Sequence, residues 1–130
     1  MNDRLFKGVL LACLVVYILA MWNIPVIDID AAQYASMSRE MLENGSYLKL
    51  YDLGKDYLDK PPMLFWLSSQ SMRLFGVHDW AYRIPSVLLL LLAIYATYRF
   101  TLLYYKKVIA QLAAIILASS QAVFLMVHDV

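Results

Sequence analysis

Residues 8–27 read GVLLACLVVYILAMWNIPVI, a run with no Asp, Glu, Lys or Arg in it. A helix of about 20 residues rises roughly 30 Å, the thickness of a bilayer's hydrocarbon core. Arg4 and Lys7 precede the run, as basic residues precede the apolar core of a signal peptide. The run is nevertheless longer than the usual core of about 7–15 residues, and no A-x-A-like cleavage site follows it. It reads as a retained transmembrane helix, with Trp22 near its far interface.

Outward from this run the same pattern recurs. Residues 84–105 (IPSVLLLLLAIYATYRFTLLYY) and 108–127 (VIAQLAAIILASSQAVFLMV) form two further spans. Arg99, close to the end of the second, can reach the headgroups along its aliphatic stem. Tyr95, Tyr98, Tyr104 and Tyr105 make an aromatic belt at that end, closed by Lys106 and Lys107. Gln111, Ser119, Ser120 and Gln121 are the polar members of the third span.

Composition agrees with this layout. Of 130 residues 62% are hydrophobic and 16% charged, against about 45–50% and about 25% in soluble domains. A net charge of +1 leaves no electrostatic footprint for nucleic acid. Cys13 is the single cysteine and lies inside the first span, which excludes an intramolecular disulfide. The spans carry few charges, only Arg99 near an end, which argues against an ion or proton path.

Arg4, Lys7, Lys106 and Lys107 fall on one side of a three-span arrangement, which the positive-inside rule makes cytoplasmic. Residues 28–83 then face the other side as one external loop. That loop holds six Lys/Arg and eight Asp/Glu, so it is net acidic. Two short helices are expected in it. The first runs from about Ala31 to Glu43, with Asp30 and Gln33 at capping-box spacing and Asn44-Gly45 as a stop. The second starts at Pro61-Pro62 and ends before Gly76; it is too apolar for a free surface and too short to span. Both read as interfacial helices along the outer leaflet. The expected fold is thus all-α: a polytopic membrane protein with three transmembrane and two interfacial helices.

Three clusters place ionisable groups where a lipid phosphate would sit: Asp28-Ile29-Asp30-Ala31-Ala32-Gln33-Tyr34, Tyr57-Leu58-Asp59-Lys60-Pro61-Pro62, and Arg83-Ile84-Pro85. Each has a plainer reading beside the chemical one. Asp30 serves as a helix N-cap, Asp59-Lys60 as a turn before the Pro-Pro helix start, and Arg83 as an anchor among headgroups. Arg39 reads as part of a solvated face, and His78 as part of the turn at Gly76–Asp79.

In order and spacing, residues 20–90 resemble the first external loop of the GT-C membrane glycosyltransferases. The likeness is to the bacterial branch that includes the aminoarabinose transferases of lipid A and is related to the protein O-mannosyltransferases. It is carried by Asp30…Tyr34-Ala35, Ser38-Arg39-Glu40-Met41, Asp59-Lys60-Pro61-Pro62, Phe65-Trp66, Phe75-Gly76 and Arg83-Ile84-Pro85-Ser86. The resemblance implies a catalytic role for Asp30, as general base or orienter of the acceptor. It implies that Lys60 holds the phosphate of a polyprenyl-phosphate sugar donor, and that Tyr34 and Arg83 shape the cavity and donor site. Asp59 would assist either the acceptor or a divalent metal; no other cofactor is implied. The partners would be that donor, a lipid or other exported acceptor, and membrane lipids, which makes this cell-envelope chemistry such as lipid A modification.

The chain departs from the pattern at Ala31 and Gln33, where the family often has an acidic and a basic residue. Members of the class also have many more spans, so residues 1–130 read as the N-terminal portion of such an enzyme, inactive alone. The rival reading is a small non-enzymatic membrane subunit or assembly factor that binds lipid headgroups.

Chemistry fits the arrangement. Displacing a sugar from a lipid phosphate builds positive charge at the anomeric carbon and negative charge on the departing phosphate. A carboxylate near the acceptor and a cation on the phosphate answer both.

Overall fold

Local chemistry sets the helix ends in the computed structural model, which describes residues 2–26 and 29–129. α1 runs Asp3–Asn23, and the Asn2 side chain accepts the Arg4 N–H at its start. It stops ahead of Pro25 because proline disfavours helical geometry in the residue before it; Ile24 is extended, at φ −95° and ψ 116°. Ile27 and Asp28, which end the expected first span and open the first motif, lie outside the described residues. The remaining helices are α2 (Ile29–Asn44), α3 (Met63–Phe75), α4 (Asp79–Tyr104), α5 (Lys107–Ala118) and α6 (Gln121–Asp129). Helix makes up 77% of the described residues, in keeping with an all-α membrane protein.

Two helix starts differ from the sequence expectation. α2 begins at Ile29, so Asp30 is a first-turn residue and not the N-cap. Gln33 does not complete a capping box; its amide donates to Asp52 Oδ2 at 2.6 Å. α4 begins at Asp79, five residues before the expected span 84–105, and carries Pro85 inside it. Pro85 has no N–H to give the carbonyl of Ala81, four residues back. Ser71 of α3 donates to that carbonyl instead, at 2.6 Å, and Ser68 donates to the carbonyl of Tyr82 at 3.2 Å. The helix continues through its proline because a neighbouring helix supplies the missing hydrogen bond.

The expected third span is not one straight helix. α5 and α6 are bent by 47° at Ser119-Ser120. Ser119 donates both its N–H and its hydroxyl to the Ile115 carbonyl, each at 2.8 Å, which closes α5 and lets the chain turn. α1 and α4 are each long and apolar enough to cross a bilayer, and α5 with α6 makes a third crossing if the bent pair is one span.

Side chains fix how these helices run. At one end Asp3 pairs with Lys107 at 2.6 Å and accepts from Gln111 at 3.0 Å, while Phe6 stacks on Tyr98 with centroids 5.5 Å apart. At the other, Trp22 stacks on Trp80 at 5.2 Å and the Val26 N–H donates to Asp79 at 3.1 Å. α1 and α4 are therefore antiparallel, with Tyr17, Val87, Leu90 and Val127 at the centre of the bundle. Only 6% and 11% of their apolar windows are buried inside the protein. Surfaces so apolar and so exposed mark helices that meet apolar surroundings, as in a membrane protein.

α2 and α3 pack on each other and on the start of α4. Met37, Met41, Leu50 and Phe65 form the core between them, and burial of Phe65 alone contributes about 1.5–3 kcal/mol. Between α2 and α3 the sequence reading found no regular element, yet a hairpin forms there: β1 (Tyr51–Asp52) pairs antiparallel with β2 (Lys55–Asp56). Its two-residue turn holds Leu53 at φ 52° and Gly54 at φ 78°, the doubly positive geometry that suits strand twist. The hairpin is fastened to α2 by the Gln33–Asp52 bond and by Glu40, which accepts the Gly54 N–H at 3.0 Å.

Candidate functional site

The hairpin carries the second motif to the first. Past β2, the Tyr57 N–H donates to the Leu50 carbonyl at 2.9 Å, and residues 57–60 then bend towards Pro62 at the head of α3. Tyr57 is half-buried, and its ring packs with Tyr34 on the core of Met37, Leu50 and Phe65. Burial foremost, then the neighbouring Tyr34 and Asp59, pushes the Tyr57 phenol above its ordinary range. The phenol stays protonated at neutral pH, with Tyr34 beside it. Tyr34 is held in turn by an edge-on contact with Phe65, centroids 5.7 Å apart at 86°.

Tyr34, Tyr57 and Asp59 thus share one neighbourhood, and Lys60 joins it through a cleft that it lines together with Tyr57. The cleft has a volume of about 230 Å³ and is also lined by Lys49 and Asp56. Asp59 and Lys60 are both exposed. Sequence reasoning quoted Tyr57 within its motif but gave it no role, and it passed over Lys49. The signal that could have found them is the Asp52-Leu53-Gly54-Lys55 turn, which folds residue 49 back beside residues 57–60.

Asp30 is exposed on the first turn of α2, where the helix dipole favours a carboxylate. The Ser38–Met41 stretch proves structural on three of its faces. Ser38 is fully buried and donates to the Tyr34 carbonyl at 2.8 Å, Met41 lies in the core, and Glu40 holds the hairpin turn. Arg39 is solvated, as expected, and pairs with Glu43 at 2.6 Å. His78 sits at the N-cap position of α4 and stacks on Trp80.

Arg83 departs from its expected place. It is only 1% exposed. Its Nε donates to the His128 carbonyl at 3.0 Å, Nη2 to the Pro25 carbonyl at 3.1 Å and Nη1 to the Ile24 carbonyl. The guanidinium ties α4 to α6 and to the segment leaving α1. Each hydrogen bond from a charged donor is worth about 1.5–3 kcal/mol, so this clamp fixes where the chain heads for Asp30.

Among the described residues, no three His, Cys, Asp or Glu side chains come together to hold a metal ion.

Residues 59–130, more than half the chain, match the family model described as dolichyl-phosphate-mannose-protein mannosyltransferase. The chain belongs to this family. The match starts at Asp59, the first residue of the Asp-Lys-Pro-Pro motif. Among curated relatives, the undecaprenyl phosphate-alpha-4-amino-4-deoxy-L-arabinose arabinosyl transferase of Yersinia enterocolitica is 31% identical over 127 residues, which is 93% of this chain and 23% of that protein. The enzymes of that name from Photorhabdus laumondii and Aeromonas salmonicida are 31% identical over 96 residues and 36% identical over 73. Those matches cover 73% and 56% of this chain, and 17% and 13% of the relatives. The chain spans about a fifth of the length of the first two relatives. No solved structure matches it significantly.

Proposed function

We propose that this chain is the N-terminal part of a membrane glycosyltransferase that moves a sugar from a polyprenyl-phosphate carrier to a lipid or other exported acceptor. One observation carries the reading: the loop between α1 and α4 folds onto itself so that Lys60 lines a cleft beside Tyr57, Tyr34 and Asp59. The names of the relatives point to an amino-arabinose on undecaprenyl phosphate as donor, and lipid A is the acceptor we favour.

In this reading the basic end of the bundle, with Arg4, Lys7, Lys106 and Lys107, is cytoplasmic. The end bearing Trp22, Trp80 and Asp30 opens on the periplasmic face, and α2 and α3 lie along the outer leaflet. Lys60 holds the donor phosphate. Asp30 takes the proton of the acceptor hydroxyl as its oxygen bonds to the anomeric carbon. The bond from that carbon to the phosphate oxygen breaks, and the polyprenyl phosphate leaves with the electron pair. Tyr34 and Tyr57 wall the site, and Asp59 orients the acceptor. Arg83 acts at a distance, through the backbone it clamps.

The test is reconstitution in proteoliposomes of the protein expressed from its natural gene, supplied with a radiolabelled polyprenyl-phosphate amino-sugar and lipid A. Label should pass to the acceptor and free polyprenyl phosphate should accumulate in equal amount. Tight binding of both lipids with no transfer would contradict the enzyme reading and favour a non-enzymatic headgroup-binding subunit.

A further inference from the structure

The cleft that holds Lys60 contains a second cation. Lys49 and Lys60 line it together, with Asp56 as its one carboxylate and Tyr57 at its wall. Apolar residues line the rest: Leu48, 93% exposed, precedes Lys49, and Leu58, 91% exposed, lies two residues before Lys60. Leucines this exposed are costly in water and suited to acyl or prenyl chains. A cleft with cations inside and leucines at its mouth matches a ligand with an anionic head and an apolar tail.

Counting charge decides what Lys49 adds. Two lysines against Asp56 in the cleft and Asp59 beside it leave the group neutral; without Lys49 it is net −1. A sugar phosphodiester carries one negative charge, and the phosphate monoester released from it carries about −1.5 to −2 at neutral pH. A net-negative cleft repels both, and one cation alone does not match the charge that grows as the sugar leaves.

We propose that Lys49 is a second phosphate-binding residue, which shares the head of the lipid carrier with Lys60 and contributes most once the bond to the sugar has broken. The proposal rests on the assignment of Lys60 to the donor phosphate. Lys49 reaches the cleft because the hairpin brings residues 48–50 beside residues 56–60 through the Tyr57–Leu50 hydrogen bond. Both lysines are exposed, so their replacement leaves the packed core intact.

The experiment measures binding of undecaprenyl monophosphate to the detergent-purified natural protein, with inorganic phosphate as the tail-free competitor. Lys49→Ala should weaken binding about five- to tenfold and reduce its salt dependence. Lys49→Arg should restore it, and Asp56→Asn should strengthen it. Unchanged binding by Lys49→Ala, with Lys60→Ala still defective, would overturn the role of Lys49 alone. Unchanged binding by both variants would overturn the Lys60 assignment beneath it. Competition by inorganic phosphate at concentrations equal to the lipid would show a site for free phosphate, and the lipid assignment would be wrong.

Discussion

Asp30→Asn in the natural protein is expected to slow sugar transfer about 10²–10⁴-fold, with little change in donor affinity. The range is the usual worth of a positioned general base. Asparagine keeps the shape of the carboxylate and its ability to accept hydrogen bonds, but it cannot take a proton from an incoming hydroxyl. Asp30 is exposed on the first turn of α2, so the change leaves the core of Met37, Met41 and Phe65 untouched. The effect should therefore fall on kcat, and membrane insertion and thermal stability should match the parent. A variant that transfers sugar at the normal rate would remove Asp30 from the chemistry and leave it a helix-end residue.

The second large effect belongs to Lys60. Lys60→Ala removes the cation at the departing phosphate, and loss of one such stabilising group typically lowers the rate by about 10²–10³-fold. Unlike the change at Asp30, this one should also weaken binding of the donor and of its polyprenyl phosphate product, because both carry the anion. Lys60→Arg should recover binding better than rate: a guanidinium keeps the charge but presents a broader, planar fork. Steady-state kinetics with the donor varied separate the two parameters. Normal affinity for both lipids in Lys60→Ala would place the phosphate elsewhere.

The membrane helices were legible because a bilayer demands uninterrupted apolar length, and residues 8–27 and 84–105 satisfy it in composition alone. Their ends were less so. Proline signals a helix boundary on local grounds, yet α4 runs through Pro85 because Ser71, distant in sequence, takes the freed carbonyl. The bend at Ser119-Ser120 was hidden for a related reason: serine inside an apolar run reads as a minor polar member until its hydroxyl is seen on the Ile115 carbonyl. Motif order put Asp30, Tyr34, Asp59 and Lys60 forward as a set, and the fold places Tyr34 and Asp59 beside Tyr57 and Lys60 in the adjoining cleft. What order alone hides is a tertiary contact. The hairpin that gathers Lys49 and Tyr57 depends on Gln33 and Glu40 of α2 holding Asp52 and Gly54. Arg83 is the opposite case, a charge that looked like a surface anchor and is buried against carbonyls of two other segments.

All of the proposed chemistry requires position 60 to lie beyond the outer leaflet. The direct measurement is side-specific labelling of Lys60→Cys in a protein whose Cys13 has been replaced by serine, using a membrane-impermeant maleimide on intact spheroplasts. Labelling without permeabilisation is the predicted result. Labelling only after the membrane is opened would put the lysine on the cytoplasmic side, out of reach of a carrier presented from outside.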